Sequence, residues 1–175
     1  DAVQKWRATQ GRLGDCAVLY RTNSQSRAME EAMRRSAIPY RLVGAVRFYD
    51  RREIKDLVAW LRLIANPADD EAFRRALTAP RRGVGETTLE LLAGEAVRAG
   101  VPLLEMSRRI EFVEGVRPNT RTALTELVAT VDKLRALAAD TSVDQLLLKL
   151  VAEIGYDEAL RNEGPEGLER LDNVR

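Results

Sequence analysis

From Asp50 to the end of the chain, apolar residues recur at the spacing of a helix, and this pattern constrains the fold more than any other feature. The first such segment starts with Asp50 and Glu53, which have the spacing of a capping box. Five apolar residues follow in register, namely Ile54, Leu57, Val58, Leu61 and Ile64. Asn66-Pro67 then ends this predicted helix.

The remaining residues of this region continue as helices with recognisable ends. The predicted helices cover residues 69–77, 87–99, 102–110, 118–139 and 142–154. Gly100 and Gly155 each follow the last periodic residue of a helix, and Ser142 precedes one as a candidate N-cap. We therefore predict a mostly α-helical domain over residues 50–175.

The chain before this domain has a different pattern. Residues 15–20 form a short run that is apolar on both faces, which is typical of a buried strand. Residues 22–36 have the pattern of an amphipathic helix, Ile38-Pro39 ends it, and residues 40–43 form a second strand-like run. This order predicts a β-α-β unit over residues 15–46. The predicted fold class is therefore an α/β N-terminal piece, residues 1–49, followed by the helical domain.

Composition removes several classes of function. The 175 residues include one cysteine, Cys16, and no histidine, which excludes histidine-dependent triads, His-ligated metals and cysteine-based zinc sites. No apolar run approaches the roughly 18–20 residues of a membrane span, and the N-terminus lacks the apolar core of a signal peptide. We expect a cytoplasmic protein that binds no metal. A helical pattern still running at Arg175, and no initiator Met, indicate part of a longer polypeptide.

Charge is divided unevenly along the chain. Residues 1–85 hold 17 Lys and Arg against 10 Asp and Glu, whereas residues 86–175 hold 11 against 17. The basic residues of the first part are arginine in 15 of 17 cases, and arginine matches phosphate oxygens well. The first part is therefore the candidate anion-binding part, although a solvated surface with helical ion pairs such as Glu30 to Arg34 explains the same composition.

Two segments of the first part combine residues that suit nucleic acid. Arg21 and Asn23 follow the first predicted strand, at the edge where open α/β sheets bind ligands. The alternative is that Asn23 caps the next helix and Arg21 is solvated. Residues 47–52, Arg-Phe-Tyr-Asp-Arg-Arg, combine aromatic side chains that can stack on bases with basic side chains that can neutralise phosphates. The alternative is that an aromatic of this segment packs between the domains.

The most specific functional motif of the chain is residues 80–88, Pro-Arg-Arg-Gly-Val-Gly-Glu-Thr-Thr. Two glycines allow a tight hairpin, and the helix that follows offers free amide groups beside hydroxyls and guanidinium groups. This pattern is typical of a helix-hairpin-helix element, which binds phosphates without reading base sequence. A purely structural turn remains the alternative. The candidate duplex-binding residues are Arg81, Arg82, Gly83, Val84, Gly85, Thr87 and Thr88.

Across these segments, densely over residues 16–92, the chain resembles the UvrD/PcrA/Rep helicases of superfamily 1A. In that family a 2A motor domain, which is RecA-like, is interrupted by a helical 2B domain. The resemblance implies that residues 1–49 are part of 2A and that residues 50–175 are most of 2B. It also implies an ATP-dependent DNA helicase that moves 3′ to 5′ on single strands in DNA repair or replication.

The resemblance assigns roles to individual residues. Arg21 and Asn23 match positions that contact the single-stranded backbone, and Arg47 matches a basic position on the same track. The Gly83-Val84-Gly85 hairpin matches a Gly-Ile-Gly hairpin that meets the duplex. A second hairpin is a weaker candidate at residues 115–119, where Arg117 replaces the second glycine.

ATP and Mg²⁺ would serve the whole helicase, but the chain has no Gly-Lys-Ser/Thr phosphate loop. We expect these 175 residues alone to bind neither and to be inactive as an ATPase. DNA at a junction of single strand and duplex is the expected partner, bound without sequence preference. The alternatives are an autoregulatory module whose acidic half contacts DNA-repair proteins, and a part of a helicase-nuclease subunit.

Overall fold

The computed structural model describes residues 2–9, 11–21, 25–43 and 48–174. These residues divide into two compact units, an N-terminal unit, Asp1–Phe48, and a helical unit, Tyr49–Arg175. Assignment of the two units to the 2A and 2B domains stays a prediction.

The N-terminal unit contains two short helices, α1 (Ala2–Ala8) and α2 (Ser26–Arg35), and a 3₁₀ turn at Leu13–Asp15. The predicted β-α-β unit, and with it the α/β fold class, is wrong, because no residue described by the structure lies in a strand. Leu19 is 93% exposed and Val43 is 82% exposed, so these apolar runs are not buried. A strand needs a neighbour to accept and donate its backbone hydrogen bonds, and neither run has one within the described residues.

The helical unit is consistent with the prediction for residues 50 onward. Its helices are α3 (Arg52–Ala65), α4 (Asp70–Thr78), α5 (Glu86–Ala99), α6 (Leu103–Arg108), α7 (Pro118–Ala138), α8 (Val143–Glu153), α9 (Tyr156–Arg161) and α10 (Pro165–Val174). Short 3₁₀ turns lie at Phe48–Asp50 and Ile110–Phe112. Among the described residues, no helix combines the length and apolarity that a membrane span requires.

The ends of these helices show which local signals were reliable. The predicted capping box at Asp50 is wrong, because Arg51 precedes α3 and makes no side-chain cap. Asp69 caps α4 instead, accepting a hydrogen bond from the Ala72 amide at 2.9 Å. That amide lowers the pKa of the Asp69 carboxyl, as expected for a carboxylate at a helix N-terminus.

One hydrophobic core runs through the helical unit. Helix α3 packs against α4 and α7, α6 packs against α5 and α7, and α8 packs against α7. Its largest fully buried side chains are Trp60, Phe73, Leu63, Leu77, Leu92, Leu103, Leu104, Ile110, Leu124, Leu127, Leu134 and Leu150. Side chains of this size each stabilise a fold by about 1.5–3 kcal/mol when buried, so the core is the main source of stability in this unit.

A buried polar network joins three helices beside this core. Asp56 on α3 accepts a hydrogen bond from Arg75 Nε on α4 at 2.8 Å, and Arg75 Nη2 forms an ion pair with the same oxygen at 2.7 Å. Its second oxygen accepts a hydrogen bond from the Tyr156 hydroxyl on α9 at 2.8 Å. The carboxylate therefore has partners on both oxygens, which a buried charge requires.

A second network fixes the last helix to the first turn of α3. The Asn173 side chain donates from Nδ2 to Glu53 Oε1 at 2.7 Å, and its Oδ1 accepts a hydrogen bond from Arg51. Glu53 is buried, so its carboxylate relies on this contact within the protein interior. The start and the end of the helical unit are therefore held together.

Replacement of Tyr156 by Phe tests the first network through its pH dependence. Burial, followed by the Asp56 carboxylate, raises the pKa of the Tyr156 hydroxyl above its ordinary 10.0. The unfolded chain therefore loses this proton at lower pH than the folded chain, and stability falls as pH rises above about 10. The free energy of unfolding, measured with urea, should therefore decrease with pH more steeply in the wild type than in Tyr156→Phe. The two slopes should differ by about 1 kcal/mol per pH unit. Parallel curves between about pH 9 and pH 11 would contradict this assignment.

Candidate nucleic-acid interface

The connection between α4 and α5 contains the Gly-Val-Gly hairpin (residues 83–85). Gly83 has φ +72°, in the left-handed region that favours glycine. Val84 is partly buried and packs against the core, and Gly85 is the N-cap of α5 with extended backbone at φ −86° and ψ 166°. The turn therefore anchors its central side chain inward and leaves both glycines exposed.

The first turn of α5 presents unused amide groups at this hairpin. The Gly85 carbonyl accepts hydrogen bonds from the amides of Thr88 at 3.1 Å and Leu89 at 3.2 Å. The amides of Glu86 and Thr87 precede these bonds and have no acceptor within the helix. Because no side chain caps α5, this end of the helix can accept an anion, which its dipole also favours.

The threonines and arginines around the hairpin differ in exposure. Thr87 is exposed, whereas Thr88 is half-buried. Arg81 is exposed and has no hydrogen bond or ion pair within the part of the chain that the structure describes. It is thus the cation beside the hairpin that is available to a ligand.

Arg82 is turned into the protein. Its Nη1 atom donates to the carbonyl oxygens of Ala76 at 3.1 Å and Pro80 at 2.9 Å. Its guanidinium lies over the Trp60 ring, 4.9 Å from the ring centroid. Burial lowers the pKa of Arg82, an effect that the carboxylate of Glu126 on α7 opposes. Sequence alone did not separate Arg81 from Arg82, because the two are identical neighbours whose surroundings are set by the packing of α3 and α7.

Of the three predicted single-strand residues, Arg21 is among the described residues. Arg21 is exposed, and its backbone amide donates to Gln25 Oε1 at 3.0 Å. Asn23 and Arg47 lie outside the described residues. The predicted roles of all three stay predictions.

Phe48, from the basic and aromatic segment, packs within the N-terminal unit. Its ring is buried, and the Arg27 guanidinium lies 4.9 Å from the ring centroid. Its amide donates to Glu30 Oε1 at 3.4 Å. Tyr49, by contrast, is 52% exposed. Phe48 therefore packs within its own unit, and the alternative that an aromatic of this segment packs between the domains stays a prediction.

The second candidate hairpin repeats the backbone order of the first. Gly115 has φ +78°, Val116 is buried, and Arg117 is the exposed, extended N-cap of α7. A residue that sequence reasoning missed, Arg121, holds this loop, donating to the carbonyls of Val116 at 3.1 Å, Val113 at 2.6 Å, and Ile110. An arginine one turn into a helix carries no local signal that it will turn back onto the preceding loop.

No group of His, Cys, Asp or Glu side chains among the described residues is arranged to hold a metal ion. The groups exposed at the candidate interface are the amides of the first turn of α5, the Thr87 hydroxyl and the Arg81 guanidinium.

The family model and the individual relatives that match this chain are all of the same kind of helicase. The model of the UvrD-like helicase C-terminal domain family matches residues 1–117. The chain is 37% identical over 164 residues to the ATP-dependent DNA helicase PcrA of Bacillus subtilis, covering 93% of this chain and 22% of that protein. It is 33% identical over 173 residues to DNA helicase II of Escherichia coli, covering 98% of this chain and 24% of that protein. It is 39% identical over 165 residues to the ATP-dependent DNA helicase UvrD1 of Mycobacterium tuberculosis, covering 91% of this chain and 21% of that protein. The chain thus spans less than a quarter of the length of these curated relatives.

The two glycines of the hairpin give a matched pair of variants. Gly83→Ala should lower the free energy of unfolding by about 1 kcal/mol, because alanine is strained at φ +72°. Gly85→Ala should cost less, because its backbone angles are ordinary and an added Cβ would meet nothing within 4 Å, so that the weaker preference for alanine at an N-cap is the cost that remains. Urea unfolding of both variants measures the difference. Equal stabilities would contradict the turn geometry.

Proposed function

The chain belongs to the UvrD-like helicase C-terminal domain family, and we propose that it is a DNA-binding part of an ATP-dependent helicase moving 3′ to 5′. The names of its relatives, ATP-dependent DNA helicases, support this proposal. Its role in the whole protein is to hold DNA where single strand and duplex meet, in repair or replication.

The two units have separate roles in this proposal. The N-terminal unit is part of the 2A domain and contacts the single strand through Arg21, Asn23 and Arg47. The helical unit is the 2B domain and contacts duplex phosphates through the Gly-Val-Gly hairpin. Amide groups and guanidinium groups directed at phosphates do not distinguish bases, so binding is independent of sequence.

The observation that carries the duplex role is the open N-terminus of α5 beside an unpaired arginine. Several exposed arginines of the helical unit are neutralised by carboxylates, as Arg62 is by Asp69 at 2.8 Å and Arg109 by Glu105 at 2.9 Å. Arg74 and Arg117 are exposed without an ion pair among the described residues, but neither lies beside the Gly-Val-Gly hairpin. Arg81 has no such partner among the described residues. An unneutralised charge next to unsatisfied amides suits a phosphate.

The proposal gives this chain no ATP site of its own, because the sequence lacks a Gly-Lys-Ser/Thr phosphate loop. We therefore assign ATP binding and hydrolysis to other parts of the full-length protein and derive no catalytic step from these residues.

A second candidate function is contact with another protein, including DNA-repair proteins. Residues 86–175 carry 17 acidic against 11 basic residues. Helix α8 also exposes two large apolar side chains, Val143 at 70% and Leu148 at 69%. An acidic surface with exposed apolar groups suits a protein partner better than DNA.

Duplex binding across a salt series tests the main proposal. The chain should bind a hairpin duplex with a 3′ single-stranded tail, and its affinity should fall steeply with salt. Arg81→Ala should lower the slope of log affinity against log salt by about one unit, because one phosphate contact is lost. Fluorescence anisotropy with a labelled duplex measures both quantities.

The control is Arg98→Ala, which removes the same charge from the far end of α5, about 18 Å from the hairpin along the helix. Its slope should equal that of the wild type. An unchanged slope for Arg81→Ala would overturn the hairpin assignment. No binding to any probe at low salt would favour the protein-contact function instead.

A further inference from the structure

We infer that Arg82 and Trp60 are positioning residues, which hold the Gly-Val-Gly hairpin in the conformation that receives a phosphate. This inference rests on the proposed duplex-binding function. It gives two adjacent arginines different roles. Arg81 supplies charge to the phosphate, and Arg82 holds the backbone that leads into the hairpin.

The contacts of both residues converge on the segment that leads into the hairpin. Trp60 is fully buried on α3, and its indole N–H donates to the Ala79 carbonyl at 2.6 Å. Arg82 Nη1 donates to the carbonyls of Ala76, in the last turn of α4, and Pro80. Three carbonyls within five consecutive residues are therefore fixed immediately before Gly83.

The position of the Arg82 charge also favours a role inside the protein. Its guanidinium stacks on the Trp60 ring, a cation–π contact that is strongest when the cation is desolvated. The carboxylate of Glu126 interacts with it electrostatically. A guanidinium held by a ring, two carbonyls and a nearby carboxylate contributes less charge to an external phosphate than the exposed Arg81 does.

Arg121 shows the same use of arginine at the other candidate hairpin. Its guanidinium donates to three backbone carbonyls of the loop before α7. In both loops an arginine beside the Gly-Val turn binds backbone carbonyls rather than carboxylates. Binding several carbonyls at once suits the planar guanidinium with its several N–H donors, an arrangement that lysine cannot reproduce.

Binding measurements should distinguish the loss of hairpin geometry, which lowers affinity, from the loss of a phosphate contact, which lowers the salt dependence of affinity. Arg82→Lys keeps the charge but loses the planar contacts, and Trp60→Phe keeps the ring but loses the bond to Ala79. Each should weaken duplex binding by about three- to tenfold, the effect of losing one or two hydrogen bonds. Their slopes of log affinity against log salt should equal that of the wild type, because no phosphate contact is removed.

Amide hydrogen exchange supplies a readout that does not depend on DNA. The Thr88 and Leu89 amides, which donate to the Gly85 carbonyl, should exchange faster in Arg82→Lys and Trp60→Phe than in the wild type, whereas the amides of α7 should not change. Arg121→Lys is the matched control, because it should loosen the Val113 and Thr120 amides, which donate to Ile110 and Arg117, and leave those of Thr88 and Leu89 unchanged. All measurements are made well below the unfolding midpoint of each variant, as determined by circular dichroism.

Two results would overturn the inference. If Arg82→Lys binds duplex as the wild type does while Arg82→Ala lowers the salt slope by about one unit, Arg82 contacts phosphate directly. If the Thr88 and Leu89 amides exchange at wild-type rates in both variants, neither residue positions the hairpin. Failure of the proposed function is distinct, since it would appear as no duplex binding by the wild type, and the exchange experiment would still decide the positioning roles.

Discussion

The hydrogen bond from the buried indole of Trp60 to the Ala79 carbonyl joins the core of the helical unit to its candidate DNA-binding hairpin. Trp60 is held by the packing of α3 against α4, so the position of the hairpin follows from that packing. The stacked Arg82 extends the same connection to the carbonyls of Ala76 and Pro80. A surface made of backbone amides depends on such support, because amides cannot reorient as side chains can.

In the proposed function, phosphate binding is divided between groups that differ in exposure. The amides of the first turn of α5 would give direction, the exposed Arg81 would give charge, and the buried Trp60 with the half-buried Arg82 would give rigidity. Several other arginines of the helical unit are paired with carboxylates or bound to carbonyls, as Arg75 is to Asp56 and Arg121 is to its loop. The net charge of the unit therefore says little about where it would bind DNA, whereas an exposed arginine without an ion pair among the described residues, next to open amides, says more.

The helical part of the fold could be predicted from sequence because its signals are local. Apolar residues at helical spacing, glycines at helix ends and the Gly-Val-Gly turn each report the conformation of their own neighbourhood. The predicted strands failed because strand formation depends on a partner elsewhere, and residues 15–20 and 40–43 have none among the described residues. The different orientations of Arg81 and Arg82 were unpredictable for a related reason, since they depend on Trp60, about twenty positions earlier in the chain.

We expect duplex phosphates to bind the amides at the start of α5. An amide chemical-shift titration of the ¹⁵N-labelled chain with a hairpin duplex that carries a 3′ single-stranded tail would show this binding at the amides themselves. Within the helical unit, the largest shifts should fall on residues 83–88 and saturate with the same affinity as the binding isotherm. Saturable binding that leaves these amides unshifted would show that the phosphates bind elsewhere.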